Sequence, residues 1–306
     1  MSSLRTAYLS GLALAALGAI LVSAKAVVAK LLYRHGIDAV TLIALRMLLS
    51  APVFLAVAMW TWRQAPRLSR ADLLRIVALG LVGYYGSSML DFVGLQYITA
   101  GLERLILFLA PSFVLLLGLL LYRRRVSRQQ WMSLALAYAG IALVLWHDVS
   151  LGGDRVVLGA GCVFGAALLY AIYLLYSGEL LQRVGTLRLV SLAMSVSCVA
   201  CVLQYALLRP LPTLFEQSAT VWQLSLLNAG LCTVLPVFLI MFGVARAGAG
   251  PAAQAGMVGP VSTLFLAWWW LAEPITSLQL AGTGLVMSGI VMLTVRRRAV
   301  VQPVGP

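Results

Sequence analysis

Charge is scarce in this chain. Its 306 residues carry nine acidic side chains, and among 22 basic ones only Lys25 and Lys30 are lysines. With 10% charged and 62% hydrophobic residues, there is too little polar surface to cover a water-facing globule. A helix crossing the hydrocarbon core uses about 20 apolar residues, so ten crossings occupy roughly 200 positions and leave loops of about ten. That arithmetic excludes a catalytic head, a nucleotide-binding domain or a tethered sensor. The chain reads as an all-α membrane protein whose immediate partner is the lipid bilayer.

Cysteine and histidine are also rare. Cys162, Cys198, Cys201 and Cys232 all fall in apolar stretches and read as small packing residues. Cys198 and Cys201 form a C-x-x-C, but neither a histidine nor a second pair accompanies them, so a metal site does not follow. His35 and His147 lie near loops without ligand spacing, and G-x-S-x-G, H-E-x-x-H and Walker A patterns are missing. Neither enzymatic chemistry nor a cofactor is expected. A formal charge of +13 would point to nucleic acid in a soluble chain. In an apolar chain arginines are topology signals first, and no nucleic-acid partner is expected.

Apolar runs broken by arginine clusters, Pro or Gly predict ten helices, near 8–32, 38–60, 73–97, 101–121, 130–147, 156–178, 187–208, 219–243, 249–272 and 276–295. The first run follows Arg5 but outlasts a signal-peptide core and contains both lysines, so it is expected to remain as a first crossing. Gly80, Gly83 and Gly86 interrupt the third helix and Pro236 the eighth, which is tolerated where neighbouring helices or cavity water satisfy the freed backbone groups. With the N-terminus inside, fifteen of the 22 basic residues gather on one side, among them Arg5, Arg67, Arg123, Arg124, Arg125, Arg296, Arg297 and Arg298. Only Arg34, Arg155 and Arg209 fall on the other. The positive-inside rule then makes both termini cytoplasmic in a plasma (inner) membrane. Trp268, Trp269 and Trp270 come out at the outer end of the ninth helix, as an interfacial belt or as cavity lining.

Sliding the second half over the first by 149 positions aligns Gly94 with Gly243, Ala100 with Ala249, Gly101 with Gly250 and Pro111 with Pro260. The register continues with Gln130 on Gln279 and Gly140 on Gly289, and a shift of 148 lays Gly11 on Gly159. Residues 1–148 and 149–306 are thus two five-helix units. Five is odd, so the units enter the membrane in opposite directions, and inverted repeats are the mechanical signature of a secondary transporter. Channels use them too; a membrane enzyme has no such need.

Three stretches carry a resemblance. The run from Lys25 through Lys30 to Arg46, Leu102-Glu103-Arg104 leading to Pro111, and Leu271-Ala272-Glu273-Pro274-Ile275-Thr276 resemble the EamA-type family of the drug/metabolite transporter superfamily over nearly the whole chain. The resemblance implies a ten-helix inner-membrane carrier, often an exporter of amino acids or related metabolites, with a cavity lined by helices 1 to 4 and 6 to 9. One departure is visible: where the family commonly places an acid after helix four, as Glu273 stands after helix nine, the register gives Arg124.

Charge buried in the bilayer is where function is expected. Lys25 lies about 25 Å along helix one, at 1.5 Å per residue from Tyr8. A charge that deep costs about 2.5–3.5 kcal/mol and faces a cavity or a partner. Lys30, nearer the exit, reads as a snorkelling anchor. Asp91, Glu103, Arg104 and Arg46 lie at compatible depth, so a cavity able to receive a carboxylate follows. The same groups can instead pair structurally, Asp91 with Lys25 or Glu103 with Arg46. In helix six Tyr170, Tyr173 and Tyr176 form a stripe, for packing or for recognition, and Tyr173 lies on Lys25 in the repeat register. Asn228 and Gln254 are neutral hydrogen-bonding candidates, for the site or for interhelix contact. Gly161 and Gly165 form a G-x-x-x-G, which by itself establishes no homo-oligomer. The expectation is a secondary carrier exporting a small polar or zwitterionic metabolite such as an amino acid by alternating access. A channel or receptor using the same cavity is the alternative, and direction, proton coupling and oligomeric state are left open.

Overall fold

The computed structural model describes residues 2–64, 66, 68–123 and 126–295. Arg67, Arg124, Arg125, Arg296, Arg297 and Arg298, used above for topology, lie outside the described residues, as does the side chain of Arg5. Among the described residues there are helices and no strands, and eight helical stretches are long and apolar enough to cross a membrane. These are α1 (Ser2–Arg34), α2 (Ala39–Gln64), α3 with α4 (Arg70–Leu79, Ser87–Leu95), α5 with α6 (Ala100–Leu107, Ala110–Tyr122), α7 (Arg128–Gly152), α8 (Asp154–Val184), α9 (Thr186–Leu208), and α11 with α12 (Ala219–Ala229, Leu235–Ala247). A short α10 (Pro212–Phe215), absent from the sequence-based expectation, precedes α11. Then come α13 (Ala249–Ala255), α14 (Val258–Leu271) and the shorter apolar α15 (Ser277–Val295).

Local chemistry explains the starts and the interruptions. Ser69, Thr99, Ser127 and Ser218 cap α3, α5, α7 and α11 by accepting a backbone N–H from the first turn, and Ser127 with Gln130 completes a capping box. The helix expected over 101–121 is instead broken at Phe108–Leu109, because Pro111 has no N–H to give the carbonyl of Leu107. The one expected over 249–272 breaks at Gly256–Met257, just ahead of Pro260. Between α3 and α4, Gly80–Gly86 forms a π-helical turn, and Gly230–Val234 does so between α11 and α12. The first widens where neighbours press close: a Cβ on Gly80 would lie 2.7 Å from the carbonyl oxygen of Ala193. The second ends at Val234, just ahead of Pro236, whose missing donor falls in the first turn of α12.

These irregularities recur in both halves, at offsets of 148 to 150 positions. The two non-glycine residues with positive φ among those described, Arg123 (49°) and Ala272 (57°), end α6 and α14 and stand 149 positions apart. The helix crossings recur as well. Gly94 of α4 meets Gly159 of α8 so closely that an added Cβ would lie 2.5 Å from the Gly159 oxygen. Their repeat counterparts, Gly243 of α12 and Gly11 of α1, meet in the same way, at 2.9 Å. α7 and α15 cross reciprocally, Gly140 against Gly282 and Gly289 against Ser133. Small residues at all these points let backbones approach where lipid supplies no hydrophobic drive between helices.

Candidate functional site

The deep charges meet where α1, α2, α4, α5 and the second π turn converge. Lys25 of α1 donates to Asp91 Oδ2 of α4 at 2.6 Å, and its Nζ lies 3.6 Å from Glu103 Oε1 of α5. One ammonium therefore faces two buried carboxylates. Arg46 of α2 donates through Nε to Thr233 Oγ1 at 2.7 Å, and that hydroxyl donates to the Asn228 carbonyl. Phe92, fully buried next to Asp91, separates the cations, its ring 5.2 Å from Lys25 Nζ and 5.1 Å from the Arg46 guanidinium. Arg104 lies over Phe108 and packs so tightly on Gly259 of α14 that any side chain there would meet it.

These groups border a cavity of about 410 Å³. Lys25, Arg46, Asp91, Arg104 and Tyr170 line it, together with Tyr84 and Thr233, one from each π turn. From the Lys25 layer it runs along α1 toward Val22, that is, toward the arginine-rich end. Two lining residues keep unmet hydrogen-bonding capacity of opposite kinds: Arg46 has a buried Nη1 without an acceptor, and Asp91 a buried Oδ1 without a donor. Arg104 Nε is likewise unmet. These atoms are closed off from the cavity itself, while the side chains that carry them line it with charges of both signs.

The remaining candidates take other places. Glu103 sits behind Lys25, not on the cavity wall. Tyr173 is buried against Tyr84, whose hydroxyl donates to its own at 3.1 Å, and stacks on Tyr170. Tyr176 does not share their face: a spacing of three falls short of the 3.6-residue turn, and by the third tyrosine the side chain is 51% exposed. Asn228 is wholly buried beside the Arg46–Thr233 link and does not line the cavity, while Gln254 is exposed on α13. Glu103 does not pair with Arg46: its carboxylate faces Lys25, and Arg46 donates to Thr233 instead. Lys30 is no free anchor: it donates to Glu273 Oε1 at 2.8 Å. Trp268, Trp269 and Trp270 are exposed and none lines the cavity, as an interfacial belt requires. Thr233, Phe92 and Tyr84 were not singled out from sequence. For Thr233 and Tyr84 the available signal is the helix irregularity, since π turns concentrate at functional sites; Phe92 lies in regular helix and has none.

Comparison with known proteins gives the family and the fold. The model of the EamA-like transporter family matches twice, over residues 9–146 and 157–295. The uncharacterized transporter YcbK of Bacillus subtilis (strain 168) is 26% identical over 274 residues, covering 88% of this chain and 87% of that one. YdfC of the same organism, also an uncharacterized transporter, is 26% identical over 271 residues, covering 84% and 83%. An uncharacterized transporter of Archaeoglobus fulgidus is 25% identical over 239 residues, covering 76% and 81%. A protein of known crystal structure shares the fold with a TM-score of 0.64 over 97% of this chain and 99% of its own, at 15% identity. Matched along nearly its whole length, this multi-pass membrane chain belongs to the EamA-like transporter family.

Proposed function

We propose that the protein is a secondary transporter exporting a small zwitterionic metabolite, an amino acid or a close relative, by alternating access through the cavity. The observation that carries this is charge of both signs among the lining side chains: the Arg46 and Arg104 guanidinium groups for a carboxylate, the Asp91 carboxylate for an ammonium. A volume of about 410 Å³ suits such a solute. Tyr170, Leu174, Met194 and Val237 offer an apolar wall for its side chain. Architecturally, the broken helix over 249–271 and α15 bring the crossings to ten, in units 1–148 and 149–306. The reciprocal glycine crossings support a two-fold relation between the units, and an odd number of crossings in each makes them inverted. Transporter relatives support a non-enzyme.

Counterflow in proteoliposomes, run with each protein amino acid in turn, tests the reading. Acceleration by solute on the far side requires a carrier cycle; a channel or receptor gives none. In a thermal-shift screen the bound solute should lose its effect when either its carboxylate or its ammonium is removed. Arg46→Met should weaken that solute by about 10- to 150-fold, the worth of a hydrogen bond to a charged group. Arg46→Lys should rescue it only in part, since an ammonium lacks the planar fork that gives Thr233 one N–H and leaves others for a carboxylate.

Orientation follows from the arginines, with the arginine-rich end and both termini in the cytoplasm. Exposed Glu179 lies near that end and exposed Glu216 near the other. Glu216→Cys should react with an impermeant maleimide on intact cells and Glu179→Cys only after permeabilisation; the reverse pattern inverts the topology.

A further inference from the structure

Two cavities lie one beyond the other along α1. The first ends at Lys25. The second, about 260 Å³, is lined by Lys30, Tyr97, Thr99 and Asp148, with exposed Leu151 and Gly152 at its rim. They share no lining residue. Between them Ala26, Val27, Val28 and Ala29 are all at most 5% exposed, so this turn of α1 is enclosed on every side. Leu102 and Glu103 of α5 are buried beside it.

One side chain from the other half of the chain ties this barrier together. Glu273, in the link between α14 and α15, accepts from Lys30 Nζ at 2.8 Å and from the backbone N–H of Ala100 at 3.1 Å. Ala100 is the first residue of α5, so its N–H has no partner within the helix, and the positive end of the helix dipole favours a carboxylate there. Two residues earlier, the Leu271 carbonyl accepts from Arg34 at the end of α1. The repeat supplies no counterpart at the arginine-rich end: the 149-position shift puts Arg124 on Glu273, and the 148-position shift of the first helix puts Gly178 on Lys30.

We infer that Glu273 is a latch that shuts the cavity at its arginine-poor end, and that its release from Lys30 and Ala100 joins the main cavity to the second pocket, which is the exit. The inference rests on the cavity being a transport path, but its test reads access and not transport. Cys232 lines the main cavity and is a natural reporter. In a variant retaining Cys232 alone, the impermeant maleimide should modify it from the arginine-rich side of oriented vesicles and hardly at all from the other. Glu273→Gln keeps the size of the side chain but loses the charge; it should raise labelling from the protected side by about tenfold. Lys30→Met should raise it too, by less, because Ala100 still holds the carboxylate. Glu216→Gln, an exposed carboxylate elsewhere, should change nothing.

Unchanged protection in both Glu273→Gln and Lys30→Met, with labelling from the arginine-rich side intact as the sign of a folded protein, overturns the latch. So does wild-type Cys232 reacting equally from both sides. Should Glu273→Gln not fold, Lys30→Met decides alone. Labelling as expected without counterflow for any amino acid would sink the substrate reading and leave the latch standing.

Discussion

Lys25→Met should cut counterflow by about a hundredfold or more and lower stability by about 3–5 kcal/mol, the cost of leaving a buried counter-charge alone. The stability loss falls on two carboxylates at once, since Asp91 at 2.6 Å and Glu103 at 3.6 Å both face this ammonium. Lys25→Met with Asp91→Asn separates the two roles. Removing the Asp91 charge should return much of the stability, though not all, because Glu103 still lacks its cation. Transport should stay lost, because the acceptor for a substrate ammonium has gone as well. Thermal unfolding of purified protein and counterflow in parallel read the two effects. A well-folded Lys25→Met protein that transports normally would remove the lysine from the mechanism; a double variant with full activity would leave it as a structural partner of Asp91 only.

The second large effect concerns backbone contact. Gly94→Val should destabilise by about 1–3 kcal/mol or more, as overpacking of a filled contact does. Its Cβ would lie 2.5 Å from the Gly159 oxygen and 2.6 Å from Val163 Cγ2, and carbonyl oxygen of a neighbouring helix backbone cannot rotate aside. Gly243→Val should cost a comparable amount at the counterpart crossing, where Ala15 and Gly11 stand at 2.9 Å. Gly161→Ala is the control. Nothing lies within 4 Å of its added Cβ, so it should be neutral or slightly stabilising despite sitting in a G-x-x-x-G. Melting temperatures in one detergent rank the three. Equal tolerance of all three would show that the crossings do not depend on backbone approach.

Much of this was legible beforehand because membrane insertion makes sequence unusually explicit. Apolar length located the helices, and Gly94, Gly243, Pro111 and Pro260 revealed a repeat that the structure expresses as matched crossings and matched breaks. The depth of Lys25 and Asp91 along their helices sufficed to bring them together. What was hidden depended on rotation. Tyr176 and Gln254 have suitable chemistry at suitable depth, yet both turn outward, and hydropathy that is high all round a helix gives no phase. Glu273 was read as a family mark with no partner, since its contact with Lys30 spans 243 positions and two halves of the fold. Thr233 went unnoticed because a hydroxyl in an apolar helix ordinarily bonds back to its own turn.

The confinement of the Glu273 contacts to one end of the cavity has a thermodynamic corollary. Detailed balance forbids any internal tie from setting the direction of net flow, which the gradients alone decide. It does permit the empty carrier to spend unequal times in its two orientations. A solute arriving from the latched end meets a binding site that is presented only for a fraction of the time, and its apparent dissociation constant rises by the reciprocal of that fraction. From the arginine-rich end the site is already presented. A carrier latched in this way would saturate at low solute concentration on one face of the membrane and at high concentration on the other, a kinetic asymmetry written into a single carboxylate.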